Sequence, residues 1–128
     1  GTDIANINRI KKSLKNKDFI NRLFDKNEIK KCSSQINKAN CYAKRFAAKE
    51  ATAKALGTGI SQGISWKNIE VANLSSGKPV VNLYDTAKRR LESLLSKNTT
   101  SNILITITDE REYAQAFVII ESYNIKGI

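Results

Sequence analysis

Two carboxylates, Asp3 and Glu50, stand where the surrounding sequence does not favour a carboxylate. Asp3 falls in a short stretch that reads as a strand, a setting aspartate disfavours, a few residues before a helix begins. Glu50 lies in "RFAAKEATAKALGTG", residues 45–59, with Ala43 seven residues before it and Phe46 and Lys54 four residues to either side. On a helix these positions share one side. Phe46 belongs toward the core, so Glu50 is drawn toward protein, and a desolvated carboxylate requires a cation or a proton. Each residue also has a plainer reading. Glu50 forms an i,i+4 pair with Lys54, worth about 0.2–0.5 kcal/mol on an exposed face, and Asp3 caps a helix or shapes a turn. If the two converge, they supply two hard oxygens, the usual protein share of a magnesium site that leaves its other positions to water and phosphates.

Other groups are suited to anions. "GTG" at 57–59 follows the alanine-rich stretch instead of preceding it, so the helix dipole there favours cations and the motif is no P-loop. Gly57 reads first as a C-cap, and a phosphate nearby would rest on Lys54, a metal and loop amides. "SSGKP" reads first as a hairpin turn, with Lys78 as a possible anion contact second. Arg9, Arg22 and the lysines around them read most simply as a solvated helix face. The chain has no histidine, so acid/base work falls to carboxylates, lysines, hydroxyls and water. Cys32 and Cys41 are too far apart for a CxxC pair and have no histidine to join them, so zinc is not expected. They read as two unpaired, buried cysteines.

The elements that must position these groups follow from periodicity. Residues 1–7 read as a strand, and Ile7, Ile10 and Leu14 then take helical spacing. Phe19–Lys31 reads as one further helical piece, followed by a polar stretch at Ser33–Asn37. Asn40–Leu56 is the clearest helix, rich in alanine with no internal glycine or proline, and Gly57 stands where it should stop. Trp66–Ala72 reads as a strand with Ile69 and Val71 on one face, and Val80–Leu83 returns as its partner. Asp85–Ser96 reads as a helix with Asp85 as N-cap. Ile103, Ile105 and Ile107 line a strand, "TDERE" turns, and Tyr113–Glu121 runs back as the longest strand. The last few residues read as loose. Hairpin-joined strands with helices grouped early and once between imply an α+β fold, an antiparallel sheet packed against helices.

The totals set bounds. The chain's 128 residues fit a single domain, 1–128, too small to enclose a deep cleft without a second subunit. The longest apolar run is about five residues, far short of the ~18 that span a bilayer. No signal-peptide pattern is present, the opening Gly1 points to trimmed leading residues, and a cytoplasmic protein is expected. The net charge of +10 is one-sided: residues 1–54 hold 14 Lys/Arg against 5 Asp/Glu. Such a field favours an acidic partner, whether nucleic acid, membrane surface or acidic protein. A basic nucleic-acid-binding module is therefore an alternative. Nine aromatics with no stacking pair on a strand, and no RNA or DNA motif, count against it.

Four blocks, "GTDIANINRI", "RFAAKEATAKALGTGI", "IEVANLSSGKPVVNL" and "YAQAFVIIES", in this order and spanning nearly the whole chain, resemble the holo-acyl-carrier-protein synthases, the small bacterial phosphopantetheinyl transferases. The resemblance implies that Asp3, of the family's G-x-D opening, and Glu50, of its K-E-A helix, bind magnesium. It implies transfer of phosphopantetheine from coenzyme A to a serine of an apo acyl carrier protein, with adenosine bisphosphate departing. A cation there neutralises charge growing on the phosphate oxygens. Lys54, Arg45 and Gly57 would then serve the cofactor. The short family members are trimers with coenzyme A between subunits, so Gly77, Lys78 and Pro79 would face a neighbour's cofactor. Arg9 and Arg22 match the docking helix for the acidic carrier protein and would steer its approach. The resemblance implies neither nucleic acid nor membrane as partner. Many relatives carry a histidine where this chain has Asp109 in "TITDEREYA", and aspartate resembles one branch of the family. Asp109 keeps a catalytic place in this resemblance, orienting the pantetheine side or the metal's water if it is not itself the base, and a metal-bound water or Glu50 remains as acceptor of the serine proton. A non-catalytic carrier-protein-binding subunit of the same fold is the further alternative.

Overall fold

A computed structural model describes residues 1–125. Among the described residues, five strands and five helices follow in the order β1 (Thr2–Asn6), α1 (Ile7–Ser13), α2 (Lys17–Leu23), α3 (Lys26–Ser33), α4 (Lys38–Ala55), β2 (Ile69–Asn73), β3 (Pro79–Leu83), α5 (Asp85–Ser93), β4 (Thr99–Asp109) and β5 (Tyr113–Asn124). β1, β5 and β4 form an antiparallel sheet with β5 in the centre, and β2 and β3 form a separate antiparallel hairpin. The α+β expectation holds, with its strands divided between two sheets. Residues 126–128, part of the end read as loose, lie outside the described residues.

α4 is the axis of the fold, and its alanines explain why. Ala43, Ala47, Ala48 and Ala51 are fully buried, as are Ala114, Ala116 and Val118 on the facing side of β5. Small side chains on both elements let an 18-residue helix lie close against the sheet. Gly1 is part of the same fit, since a Cβ there would collide with the carbonyl oxygen of Ala51. The opening glycine thus lets β1 run beside α4 and fixes where Asp3 meets the helix. Gly57, at φ +83°, ends α4 in the left-handed conformation that favours glycine.

A buried ion pair fastens the hairpin to this axis. Lys49 and Glu28 are both buried, 2.8 Å apart. The Lys49 ammonium also donates to the carbonyl oxygens of Trp66 and Ile69. Glu28 accepts from the backbone N–H groups of Asp25 and Val71, each at 3.0 Å. Every strong donor and acceptor around the pair is used, the condition under which a buried pair is tolerated. Burial lowers the Lys49 pKa, and the Glu28 charge opposes that shift.

Several expectations are corrected. Phe19–Lys31 is not one helix: α2 ends at Leu23, buried Phe24 adopts an extended backbone, and Asp25 opens α3 with a reciprocal capping box to Glu28. Trp66–Asn68 is a 3-10 turn before β2 begins at Ile69. Asp85 is not the N-cap of α5; Tyr84 holds that place, and Asp85 is the first helical residue, at φ +51°. The cysteines are not unpaired: Cys32 and Cys41 form a disulfide, because the turn from α3 to α4 brings their Cα atoms to 5.4 Å.

Candidate active site

Asp3 and Glu50 come together. β1 places Asp3 opposite Ala116 of β5, beside the C-terminal half of α4 that carries Glu50 and Lys54. Burial raises the Glu50 pKa first, the charge of Asp3 raises it further, and Lys54 opposes both. Two carboxylates that repel each other through a partly buried space form an arrangement a divalent cation relieves. The i,i+4 pair between Glu50 and Lys54 is not formed. The Lys54 ammonium instead reaches across to Asp3, 3.0 Å from Oδ1, and donates to the carbonyl oxygen of Thr2 at 3.1 Å. Its side chain is 51% exposed, so its ammonium is within reach of a ligand from solvent. Among the described residues no third Asp, Glu, His or Cys joins this pair. Two carboxylates with an exposed cation beside them suit magnesium that also contacts phosphate. Gly57 lies in the exposed loop one turn beyond Lys54, where Arg90 Nε donates to the Leu56 carbonyl oxygen at 2.9 Å.

A second group gathers at the other end of α4. Arg45, Gly77 and Asp109 line one cleft of about 460 Å³, with Lys31 and Lys44 adding positive charge. Arg45 is 6% exposed, and Nη2 donates to Asn73 Oδ1 at 2.7 Å. Asn73 in turn donates to the Gly77 carbonyl oxygen at 3.0 Å, so the guanidinium is tied to the hairpin turn. The Arg45 Nε is buried without a hydrogen-bond partner, an unused donor that is unusual in a folded protein. Gly77 takes φ +92°, which the turn requires. Lys78 is exposed in that turn, and Pro79 begins β3.

Asp109 belongs to this second group rather than to the first. Its carboxylate accepts from Asn40 Nδ2 at 2.9 Å and lies 3.8 Å from the Lys44 ammonium. Within one chain it therefore faces the start of α4, whereas Asp3 and Lys54 meet at the end. Arg9 and Arg22 are exposed on α1 and α2. Arg9 lines a shallow depression of about 220 Å³ together with Ile4, Phe19 and Phe46.

Three features escape the sequence reading: the Lys49–Glu28 pair, the disulfide, and a polar cluster around Glu70. Glu70 accepts from Asn27 at 3.3 Å, Asn82 at 3.0 Å and Tyr84 at 3.2 Å. A hydrogen bond with Asp25, together with those donors, holds its pKa down to about 2 against its burial. Burial and the contact with Glu70 push Asp25 up to about 6. Asp25 followed three residues later by Glu28 is a capping-box pattern, so that signal was available.

Residues 1–118 match the sequence pattern of the 4'-phosphopantetheinyl transferase superfamily. The holo-[acyl-carrier-protein] synthase of Rhizobium rhizogenes is 48% identical, over 99% of this chain and 96% of its own. That of Agrobacterium fabrum is 46% identical over the same shares. Among solved structures, the Neisseria meningitidis holo-[acyl-carrier-protein] synthase superposes with a TM-score of 0.82 at 33% identity, covering 94% of this chain and 95% of the other. The Bacillus anthracis enzyme, in complex with coenzyme A (3',5'-ADP), gives a TM-score of 0.75 at 34% identity over 96% and 95%.

Proposed function

The chain belongs to the 4'-phosphopantetheinyl transferase superfamily, and from that membership we propose how its residues carry phosphopantetheine from coenzyme A to a serine of an apo acyl carrier protein. It is a holo-[acyl-carrier-protein] synthase by relationship across its length. The serine oxygen attacks the phosphorus that bears pantetheine as its proton passes to a site carboxylate, Glu50 or Asp109, or to solvent; the bond to the neighbouring phosphate breaks, and adenosine 3',5'-bisphosphate leaves.

The observation that supports this reading most is the meeting of Asp3 and Glu50 beside an exposed Lys54. These two carboxylates would hold magnesium, which when bound offsets the charge developing on the transferred phosphoryl group. Lys54 leaves Asp3 to contact a phosphate oxygen, adding a second positive charge at the same point. Arg45, with its unpartnered Nε, serves the nucleotide side, together with Lys44 and the Gly77–Lys78–Pro79 turn. Gly57 keeps the end of α4 open so that Lys54 and the loop amides can approach the phosphates.

Arg45 and Glu50 are five residues apart on α4, about 7.5 Å of rise and about 140° around the helix, so the two groups leave it on different sides and a homotrimer offers the natural way to join them. Its interface would be the outer face of the β1–β5–β4 sheet. Ile4, Leu104, Phe117 and Ile119 are 42–59% exposed there, a patch that soluble monomers rarely leave bare. One subunit's Arg45, Gly77 and Asp109 would then face a neighbour's Asp3 and Glu50. The exposed cations Arg9 and Arg22 would meet the acidic carrier protein. We read the protein as cytoplasmic alongside these substrates; no described helix is long and apolar enough to cross a membrane.

Incubating apo carrier protein with coenzyme A, magnesium and this protein, then measuring intact mass, tests the assignment. A gain of one phosphopantetheine that chelator abolishes and magnesium restores supports it. An unchanged mass with a folded carrier protein refutes it.

A further inference from the structure

The Arg45 cleft contains a sulfur pair that the transfer chemistry does not use. Cys32, in the last turn of α3, and Cys41, in the first turn of α4, are joined across the 33–37 turn. Cys32 is fully buried, whereas Cys41 is 7% exposed and lines the cleft beside Gln35, Asn37 and Arg45. Its sulfur accepts from Arg45 Nη1 at 3.5 Å. We propose that Cys32–Cys41 is a redox-active site whose state sets the anion affinity of this cleft, high as the disulfide and low as the dithiol. The inference rests on reading the cleft as the nucleotide side of the transfer site.

Two physical effects act in the same direction. The first is positional. Besides the bridge, one hydrogen bond spans the turn that forms one wall of the cleft, between the Ser33 and Tyr42 hydroxyls at 3.3 Å; the rest are local, the N–H of Gln35 donating to the Cys32 carbonyl oxygen, that of Cys41 to the Asn37 carbonyl oxygen, and the Ser34 hydroxyl to that of Lys31. Asn37 makes no side-chain cap for α4, and Ile36 is wholly exposed. The bridge is the covalent tie that keeps this wall against α4, and breaking it restores conformational freedom that a ligand must then remove. The second effect is electrostatic. A disulfide sulfur is neutral and leaves the Arg45 charge for a phosphate. A reduced Cys41 lies against the same guanidinium, where its deprotonated form would pair with Arg45 and offset the charge an anion needs.

The interconversion balances as ordinary thiol–disulfide exchange with a small dithiol. A dithiol thiolate attacks the Cys41 sulfur from the cleft that this residue lines, the Cys32–Cys41 bond breaks, and Cys32 leaves as thiolate and takes up a proton. The second dithiol sulfur then attacks its partner in the mixed disulfide, releasing Cys41 and closing the reductant's own disulfide. Two electrons pass from reductant to protein. A disulfide in a reducing compartment is usually transient and redox-sensing rather than structural, which fits a bond placed at a ligand cleft.

Calorimetric titration of the whole protein with adenosine 3',5'-bisphosphate, after diamide or after dithiothreitol, tests the proposal, with alkylation and intact mass counting the thiols in each sample. The expected result is about tenfold tighter binding by the oxidised protein, a difference of roughly 1.4 kcal/mol. Cys32→Ala, which leaves Cys41 unbridged, should bind weakly under both conditions. Equal affinity of verified disulfide and dithiol forms overturns the redox control and leaves the cleft's role standing. Two alkylatable thiols after diamide overturn it as well. Binding by neither form removes both this inference and the reading of the cleft beneath it.

Discussion

Lys49 precedes the proposed metal ligand Glu50 and could be mistaken for part of the chemistry; its surroundings predict otherwise. Lys49→Met would remove the ammonium from a site where both partners are buried. Glu28 would keep its two backbone donors, from Asp25 and Val71, but lose its ion-pair partner. The carbonyl oxygens of Trp66 and Ile69 would lose the donor they share. Breaking a buried pair by deleting one member costs about 3–5 kcal/mol, a large part of the roughly 5–15 kcal/mol that holds a domain folded. Urea unfolding followed by Trp66 fluorescence measures the loss. Glu28→Gln added to Lys49→Met should recover part of it, since a neutral amide costs less to bury than an unpaired carboxylate. At low temperature, where the variant stays folded, its KM for coenzyme A should remain within about twofold of the parent value, because Lys49 touches neither proposed half-site. A loss of stability below about 1 kcal/mol, or normal stability with abolished turnover, would refute the structural assignment.

The other predictions concern separate parts of the molecule. Phe117→Glu places a charge on the apolar outer face of the sheet and should convert the assembly to monomers with loss of transfer; light scattering that still gives a trimer would contradict the proposed interface. Arg9→Glu with Arg22→Glu should slow carrier-protein association at low salt by about tenfold or more and leave kcat nearly unchanged; an association rate insensitive to both reversals removes the docking role. The Asp25–Glu70 pair predicts a definite pH window. Asp25, held near 6 against an ordinary 3.8, stabilises the fold fully below pH 3.8, and that contribution is lost as pH rises to 6. Glu70, held near 2 against 4.5, contributes above pH 4.5 and loses its share as pH falls toward 2. Stability from the pair should therefore be greatest near pH 4, and Asp25→Asn, which keeps a capping side chain, should flatten the decline between pH 4 and 6 in urea titrations.

What the sequence made legible follows from which interactions are local. The alanine-rich helix and its glycine stop are written in propensity and capping, and α4 runs from Lys38 to Ala55 close to the expected bounds. Alternation marked β4 and β5, because one face of each packs on the helix. The break between α2 and α3 was harder to see, since burial of Phe24 and its contact with Tyr42, ring centroids 4.9 Å apart, outweigh the helical spacing around it. Long-range partners were not legible from spacing. Lys54 chose Asp3 over the nearby Glu50, and Lys49 chose Glu28, because both choices depend on how β1 and α3 dock against α4. The same limit hid the disulfide, whose partners meet only once the 33–37 turn reverses the chain. Asp109 was expected on resemblance alone, and its contacts with Asn40 and Lys44 assign it to the Arg45 end of the helix.

The central claim is that residues 3 and 50 hold one divalent ion between them, and manganese binding measured by electron paramagnetic resonance in the presence of coenzyme A tests it most directly. One ion per chain is predicted, with affinity falling by more than about tenfold in both Asp3→Asn and Glu50→Gln; even residues one step removed from a metal change affinity by that much. Unchanged stoichiometry and affinity in either variant, with the protein folded, would contradict the account.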